Sequence, residues 1–391
     1  MRAVFNRVEL LAAAKRGESI APHDTPMDAL KGLLLEVDAE GVLTMTASSL
    51  EITLEQKIPC KSSEEDAVVL NARLAVAMLD KLPGDTVELE RNPGQPQICV
   101  RGGEAEYLVP VSEKNTYPKL QIPSPEATTA VSGIPSMAKR TVFAAAEDNG
   151  KPMLKCVNLK FTQDGLRAAV GNGSCIVTAK GDEKSTGDTS LLIPARSLEK
   201  LARMCGDKDE LRVGSTGKFI VFLKENFAYS ARLLEEDYID TDSLIRSVQN
   251  QFTVLTDVTE LRSMVETASC VDLDGKICLL FEGQRLTFRC RAEQGNTSIS
   301  VDVIPLRAMP QGEHCYISSL LRACLKSLSG TVKLGIAQGG MLTLETENAY
   351  YLQTATRLRS CTNSRSARIG EKIFRLARKG SAGILTDFKL S

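Results

Sequence analysis

The feature that most constrains the fold of this 391-residue chain is a strand-and-helix unit that occurs three times. In each copy an apolar strand leads directly into a short helix. The three copies are Val68–Glu90, Leu191–Cys205 and Cys315–Ile336. The expected helix starts, Asn71, Pro194 and Ser318, are separated by 123 and 124 residues. Two nearly equal intervals indicate three copies of one domain.

A second repeated landmark is a pair of strands joined by an acidic turn that ends in glycine. The turn glycines are Gly41, Gly165 and Gly283, separated by 124 and 118 residues. Each repeat contains two successive groups of elements, and each group is one helix and about three strands. Because a helix with one apolar stripe packs on one face of a sheet, this order predicts an α+β fold with two helices on antiparallel sheets in each domain. The predicted domains are 1–121, 127–245 and 252–358, followed by a basic extension, 359–391.

Apolar periodicity predicts individual helices within this pattern. We expect one helix over Arg7–Lys15, with Val8 on its inward face, and another over Ser136–Glu147. In the third repeat Asp257 and Glu260 have the spacing of a capping box, which predicts a helix start.

Composition argues against a membrane or secreted protein. No apolar run approaches the roughly 20 residues that a membrane-spanning helix needs, and the N-terminal residues lack the apolar region of a signal peptide. We therefore expect a cytoplasmic location. The eleven cysteines include no C-x-x-C and mostly lie within apolar patterns, as Cys156, Cys278 and Cys324 do. They are expected to be reduced core residues, and with only two histidines no metal site is expected.

Two short motifs suggest chemistry and are rejected on their details. Gly214–Lys218 is reminiscent of a phosphate-binding loop, but it has Arg212 and Phe219 where that motif needs glycine and Ser/Thr. A hairpin turn explains it better. His314 and Cys315 are adjacent, so on a strand their side chains point to opposite faces and cannot readily form a nucleophile pair. We therefore expect neither an enzyme nor a cofactor.

Basic residues on the helix faces remain to be explained. The extension carries eight basic and two acidic residues, which leaves forty basic and forty-seven acidic residues in the body. Basic faces at equivalent places in three repeats of an acidic body indicate contact with a polyanion, through phosphates and without reading of sequence. The residues expected to contact this polyanion are Arg73, Lys81, Lys139, Arg196, Lys200, Arg203, Arg322 and Lys326.

A series of short motifs follows the three repeats: Thr46–Glu51 (TASSLE), Asn71–Arg73 (NAR), Leu82–Gly84 (LPG), Tyr117–Leu120 (YPKL), Lys151–Leu154 (KPML), Ile193–Arg196 (IPAR) and Arg357–Leu358 (RL). Through these motifs, in order along residues 1 to about 358, the chain resembles the bacterial sliding clamps, the beta subunits of DNA polymerase III. Each motif is short, and together they are in register with the three repeats.

The resemblance implies that each chain is a half ring of three clamp-type domains. Two chains would form a head-to-tail homodimer whose helices line a basic hole around duplex DNA. Such a processivity factor tethers the replicative polymerase, and it binds both the polymerase and the clamp loader through short apolar peptides. At the implied dimer interface, Tyr107, Leu108 and Val109 meet Ala268 and Ser269 of the other chain.

The resemblance also implies a pocket for partner peptides. Its residues would be Leu154, Gly171, Gly173, Ser174, Cys175, Ile176, Ile239, Ser243, Leu244, Thr354, Ala355, Thr356, Arg357 and Leu358. The family's pocket loop is here Gly171–Val177 (GNGSCIV), so the groove has lost several of the usual walls. The small Ala268 and Ser269 leave open a second interpretation, a clamp-derived interaction module that does not close a ring on DNA.

Overall fold

A computed structural model describes residues 1–356 except 63, 93, 119–120, 148–150, 164, 182–188, 283 and 305–311. Gly283, Arg357, Leu358 and the basic extension therefore lie outside the described residues. The chain divides into two compact units. Unit 1 comprises Met1–Pro135 and Arg196–Leu234, and unit 2 comprises Ser136–Ala195 and the chain from Glu235 onward. The predicted second domain is thus shared between the two units, and the three-domain division stays a prediction.

The helices are short. They are α1 (Arg7–Ile20), α2 (Ala72–Lys81), α3 (Ile134–Thr141), α4 (Ala195–Ala202), α5 (Thr241–Ser247), α6 (Val258–Ala268) and α7 (Ser318–Ser327). Single 3₁₀ turns lie at Asp28–Lys31, Lys114–Thr116, Val142–Ala144, Pro152–Lys155 and Ser269–Val271.

The strands of unit 1 and unit 2 are numbered together in chain order. They are β1 (Arg2–Asn6), β2 (Gly32–Val37), β3 (Val42–Ser48), β4 (Ile52–Pro59), β5 (Lys61–Ser62), β6 (Asp66–Asn71), β7 (Thr86–Glu90), β8 (Gln97–Gly102), β9 (Ala105–Pro110), β10 (Ser112–Glu113), β11 (Thr129–Val131), β12 (Cys156–Thr162), β13 (Gly165–Gly171), β14 (Cys175–Lys180), β15 (Thr189–Pro194), β16 (Leu211–Ser215), β17 (Phe219–Lys224), β18 (Phe227–Arg232), β19 (Asn250–Asp257), β20 (Lys276–Glu282), β21 (Arg285–Ala292), β22 (Gly295–Asp302), β23 (Gly312–Ile317), β24 (Thr331–Ala337), β25 (Met341–Glu345) and β26 (Ala349–Gln353).

Unit 1 contains two antiparallel sheets. Their strand orders are β5-β1-β7-β8-β9 and β10-β6-β2-β3-β4-β18-β17-β16-β11. The larger sheet joins the first repeat to part of the second, because β4 pairs with β18 with Leu54 opposite Tyr229. Helices α1 and α2 pack against each other, and α1 also covers β3 and β4. At Gly17 of α1 an added Cβ would lie 2.6 Å from the Leu33 side chain, so glycine permits the close approach of helix and sheet.

Unit 2 repeats this construction. Its strand orders are β15-β12-β13-β14-β26-β25-β24-β19 and β22-β21-β20-β23. Here β14 pairs with β26, and α6 packs against α7. The corresponding ends of the two joining pairs carry the same hydrogen bond: Arg232 N donates to Glu51 O at 2.8 Å, and Thr354 N donates to Ser174 O at 2.9 Å. The two donors, Arg232 and Thr354, are 122 residues apart in the sequence, and the two acceptors, Glu51 and Ser174, are 123 residues apart, as the repeat predicts.

Of the three predicted helix starts, Asn71 and Pro194 directly precede their helices as expected, and only Ser318 needs correction. Helices α2, α4 and α7 begin at Ala72, Ala195 and Ser318, so the true intervals are both 123 residues. Asn71 caps α2 by accepting from Leu74 N, whereas Ser318 is itself the first helical residue and Ile317 precedes it without a side-chain cap. Serine was assigned to the cap because it favours that position.

Two further helices differ in length. Helix α1 continues to Ile20, and Val8 is exposed because the buried stripe starts at Leu10. Helix α3 ends at Thr141, where the Thr141 hydroxyl donates to the carbonyl oxygen of Met137 at 2.8 Å. Such a bond back to the preceding turn competes with regular helix, and a 3₁₀ turn follows. The start of α6 is as expected, with the Asp257 carboxylate accepting from Thr259 N.

The cysteine prediction is wrong for one pair. Cys278 of β20 and Cys315 of β23 lie directly opposite each other and form a disulfide, whereas Cys156 and Cys324 are free and buried as expected. The spacing of 37 residues does not reveal strand register, which is what brings the two sulfurs together. Since Cys315 is oxidised, the nucleophile interpretation of His314 and Cys315 is excluded in this structure.

The Gly214–Lys218 motif forms a hairpin turn, as predicted. Gly214 and Ser215 end β16, and the turn to β17 contains Gly217 at φ 79°, as a hairpin requires. No helix within the described ranges is long and apolar enough to cross a membrane.

Candidate functional site

The basic residues of unit 1 lie on the outer faces of two helices. Helix α2 buries Ala72, Ala75, Met78 and Leu79, and it leaves Arg73 and Lys81 exposed. Helix α4 buries Leu198, and Arg196 lies exposed on its other side. The amphipathic pattern thus places the positive charges away from the core, as the sequence predicted.

Three cations are crowded at α4. Lys200 is half-buried, and burial lowers the pKa of its ammonium group, an effect that the charges of Arg196 and Arg203 reinforce. Arg203, in the turn after α4, donates from Nη2 to Glu199 Oε1 at 2.6 Å. A negatively charged ligand beside Arg196 and Lys200 would relieve the repulsion between them. Arg203 contributes less to such binding because a carboxylate already neutralises it.

The basic residues of unit 2 differ in accessibility. Lys139 on α3 and Lys326 near the end of α7 are exposed. Arg322 is half-buried, and its Nη1 donates to the carbonyl oxygen of Leu273 at 3.3 Å. Its guanidinium therefore holds part of the protein's own backbone, so Arg322 is a weaker candidate for an anion contact than the sequence suggested.

The described residues that were predicted to form the peptide pocket lie in unit 2, several of them at the hairpin between β13 and β14. The Asn172 side-chain oxygen accepts from Ser174 N at 2.9 Å and from Cys175 N at 3.0 Å. Gly173 sits at φ 92°, a conformation that favours glycine. Burial raises the pKa of the Cys175 thiol to about 12, so this sulfur is an inert wall of the hairpin.

A second wall is the segment that enters α5. The Tyr238 hydroxyl accepts from Gly171 N at 2.9 Å, which fixes the segment to the hairpin. Asp240 caps α5 through Ser243 N at 3.0 Å. The apolar floor comprises buried Ile176, Ala337, Met341 and Leu352, with half-buried Leu244, Ile245, Val248 and Tyr350 packed against them.

The third wall is the chain after β26. The amide of Thr354 donates to Ser174 O at 2.9 Å, and the amide of Thr356 donates to Cys315 O at 2.6 Å. Leu154, Ile239 and Ala355 are half-buried apolar residues of the same unit. Arg357 and Leu358 lie outside the described residues.

Sequence reasoning missed several residues of this site. They are Asn172, Tyr238, Ile245, Val248 and Tyr350. Asn172 and Tyr238 directly adjoin predicted pocket residues, and their turn-forming and hydroxyl side chains were the available signal. Val248 follows Leu244 by four residues and Ile245 by three, and these helical spacings are a signal for an apolar face that includes Val248.

The predicted dimer residues differ in their availability. Strand β9 is an edge of the five-stranded sheet, with Leu108 62% exposed, Tyr107 half-buried and Val109 buried. Ala268 and Ser269 are fully buried within unit 2. Their side chains therefore belong to the core of unit 2, and the expected interface stays a prediction. The surface next to them is formed by exposed Cys270 and Leu273.

Comparison with protein families decides which class these features belong to. The model of the DNA polymerase III beta subunit N-terminal domain matches residues 1–121, and that of its central domain matches residues 131–240. The chain belongs to this family. It is a divergent bacterial sliding clamp, and sliding clamps are processivity factors for DNA replication.

Individual clamps share moderate identity with this chain. The beta sliding clamp of Bacillus subtilis is 27% identical over 265 residues, which are 64% of this chain and 69% of the relative. That of Streptococcus pneumoniae strain R6 is 27% identical over 254 residues, 61% of this chain and 66% of the relative. The chain thus spans about two thirds of the curated relatives that it matches.

Solved structures show the same fold. The crystal structure of the Bacillus subtilis sliding clamp has a TM-score of 0.82 at 19% identity and covers 92% of this chain and 99% of that one. The DNA polymerase III beta chain of Streptococcus pneumoniae has a TM-score of 0.83 at 20% identity, covering 91% and 100%. The likeness therefore extends over nearly the whole clamp fold, beyond the range of the sequence matches.

Proposed function

We propose that this clamp is a homodimeric ring that encircles duplex DNA and tethers a replicative polymerase. It has no catalytic role of its own, acts in the cytoplasm, and binds the polymerase and the clamp loader through short apolar peptides. The observation that carries the proposal is the family match, in register with repeats whose exposed helix faces carry Arg73, Lys139, Arg196 and Lys326.

A ring changes what the protein needs from its DNA contacts. Phosphate contacts give affinity without sequence information, and their strength falls steeply with salt. If the ring holds DNA topologically, weak contacts are sufficient and permit sliding. The crowded cations at α4 and the absence of tryptophan fit contacts with the DNA backbone and not with bases.

Ring closure requires complementary edges on the two chains. Strand β9 ends the five-stranded sheet of unit 1 and exposes Leu108, and β22 ends the four-stranded sheet of unit 2. We infer that β9 of one chain pairs with β22 of its partner, with Leu108 near Leu273 of the partner chain. Unpaired strand edges invite such pairing, and a closed ring leaves no edge free.

The proposed peptide site combines an apolar floor with a fixed rim. Half-buried Leu244, Ile245 and Tyr350 offer side chains that an apolar peptide could cover. The rim is held by the bonds from Gly171 to Tyr238 and from Thr354 to Ser174. A preorganised groove of this kind suits a short peptide, because little order is lost by the protein on binding.

The molecular mass in solution tests the dimer. The chain has a mass of 42.4 kDa, so light scattering should give about twice this value for the wild type. Leu108→Asp should give the mass of a single chain, since it places a charge in the proposed apolar contact. The control, Leu255→Asp, changes a leucine that is 56% exposed on β19 and should remain dimeric. A wild type that is monomeric throughout the concentration range would contradict the proposal.

A further inference from the structure

The disulfide between Cys278 and Cys315 is connected to the candidate peptide site through the hydrogen bond from Thr356 N to Cys315 O. It joins β20 to β23, where the two residues are directly paired across the strands with Cα atoms 3.9 Å apart. The two residues are only 6% and 2% exposed. The bond is therefore part of the interior of unit 2.

Strand β23 supports the chain that forms the third wall of the site. The carbonyl oxygen of Cys315 accepts from Thr356 N at 2.6 Å and from the Thr356 hydroxyl at 3.0 Å. The carbonyl oxygen of Ile317 accepts from Gln353 Nε2 at 3.2 Å. Both ends of the segment Gln353–Thr356 are thus attached to β23, one through a side chain and one through the backbone.

The same segment contacts the hairpin on its other side. Thr354 donates both its amide and its hydroxyl to Ser174 O, at 2.9 and 3.2 Å. A continuous series of contacts therefore runs from the disulfide through Cys315 and Thr356 to Thr354 and Ser174. Movement of β23 would be transmitted to the rim of the site through these bonds.

Strand β23 is also placed where it can move. It is an edge strand, paired with β20 alone in its sheet. An edge strand has one hydrogen-bonded neighbour in its sheet where a central strand has two, and the disulfide links β23 covalently to that neighbour. Reduced thiols cannot approach as closely as bonded sulfurs, and a close-packed interior must adjust when they separate.

We propose that the Cys278–Cys315 disulfide is a redox-sensitive cross-link. It controls how well ordered the third wall of the peptide site, Thr354–Thr356, is. A dithiol reductant would transfer two electrons and two protons, converting the protein disulfide to two thiols while the dithiol becomes a disulfide. Strand β23 would then be held to β20 by hydrogen bonds and by the packing of buried Tyr316, without a covalent link, and Thr354–Thr356 would lose order. In cytoplasmic proteins a disulfide more often serves redox sensing than permanent stabilisation.

That the disulfide regulates peptide binding rests on the proposed function of the site. The coupling between the disulfide and the order of Thr354–Thr356 does not depend on that function. The full chain is compared before and after dithiothreitol, with mass spectrometry to confirm that Cys278 and Cys315 gain two hydrogens. Hydrogen exchange then measures the amides of β23 and Thr356. We expect reduction to speed exchange at Thr356 at least tenfold, with the amides of β3 in unit 1 unchanged.

Variants separate this disulfide from the other cysteines. Cys278→Ala/Cys315→Ala should exchange rapidly at Thr356 with or without reductant, and Cys270→Ser should respond as the wild type does. If the double variant fails to fold, reduction of the wild type still decides the matter. Equal exchange at Thr356 in the oxidised and reduced wild type would overturn the proposal. So would an equal rise in β3, or free thiols at both positions before reduction. Retention on circular DNA tests the clamp function separately.

Discussion

The backbone amide of Gly171 donates a hydrogen bond to the hydroxyl of Tyr238 at 2.9 Å, across 67 residues of sequence. Gly171 is buried, so the bond satisfies a donor that has no access to water. This contact attaches the segment before α5 to the hairpin of the candidate site. It therefore contributes both to the stability of unit 2 and to the shape of the site.

Removal of that hydroxyl should destabilise the protein. Tyr238→Phe leaves the amide of Gly171 without its acceptor, which should lower the free energy of unfolding by about 1–3 kcal/mol. Urea unfolding followed by circular dichroism measures the change. Tyr107→Phe, at a half-buried tyrosine of β9, is the matched control and should have little effect. Equal stability of the two variants would show that the Tyr238 bond is not needed.

Alkaline pH should destabilise the fold through the same residue. Burial raises the pKa of Tyr238 to about 12, from 10 for a free tyrosine. Below pH 10 the phenol is neutral in both states and does not contribute to pH dependence. Between pH 10 and 12 the unfolded phenol ionises first, so the free energy of unfolding falls by about 2–3 kcal/mol.

Comparison of the wild type with Tyr238→Phe isolates this contribution. Other buried tyrosines also have raised pKa values, Tyr117 and Tyr350 among them, so both proteins should lose stability in alkali. The variant should lose less between pH 10 and 12. An equal loss of the free energy of unfolding in both proteins between pH 10 and 12 would count against a raised pKa at Tyr238.

A buried ion pair should be important in unit 1. The Arg91 side chain is 1% exposed; its Nη1 lies 3.1 Å from Asp66 Oδ1, and its Nη2 also pairs with Glu113. Arg91→Met would remove the guanidinium from the partly buried Asp66 carboxylate and leave it only the N-terminal ammonium, at 3.5 Å; breaking a buried pair costs about 3–5 kcal/mol. Urea unfolding should show a loss of this size.

The control is an exposed pair on a neighbouring strand of unit 1. The Arg2 side chain is 64% exposed and pairs with Glu88. Solvent screens such pairs, so Arg2→Met should unfold at nearly the wild-type urea concentration. If Arg91→Met were no less stable than Arg2→Met, the Arg91 network would not stabilise the fold.

The cations at α4 should contribute unequally to retention on DNA. Arg196→Glu should weaken retention more than Arg203→Glu, because Arg203 is already paired with Glu199. Arg212→Glu reverses an exposed charge on strand β16 of the same unit and is the control. Loading of labelled clamp on nicked circular DNA at two salt concentrations measures the effect, and the salt dependence should be shallower for Arg196→Glu. The assignment would fail if Arg212→Glu were as defective as Arg196→Glu.

The threefold repeat in the sequence made it possible to predict the fold. The intervals of about 123 residues between helix starts predicted the equivalent sheets, and the matching bonds of Arg232 to Glu51 and of Thr354 to Ser174 follow the same interval. Amphipathic spacing likewise separated buried Leu198 from exposed Arg196. Local periodicity carries this information because it records which side of an element faces the core.

Contacts between strands that are far apart in the sequence could not be predicted in the same way. The pairing of Cys278 with Cys315 depends on the register of β20 against β23, and no local pattern encodes it. The burial of Ala268 and Ser269 under their own unit and the bond of Arg322 to Leu273 depend on tertiary packing as well. Sequence therefore located the candidate surfaces, and the structure decided which side chains are available on them.

The central claim is that this clamp encloses DNA as a closed ring. It is tested most directly by retention of the purified protein, loaded with a clamp loader, on nicked circular DNA before and after the circle is cut. A closed ring should be retained on the circle at high salt and lost from the ends of the linear form. Equal retention on both forms, falling steeply as salt rises, would indicate ordinary electrostatic binding and contradict the account.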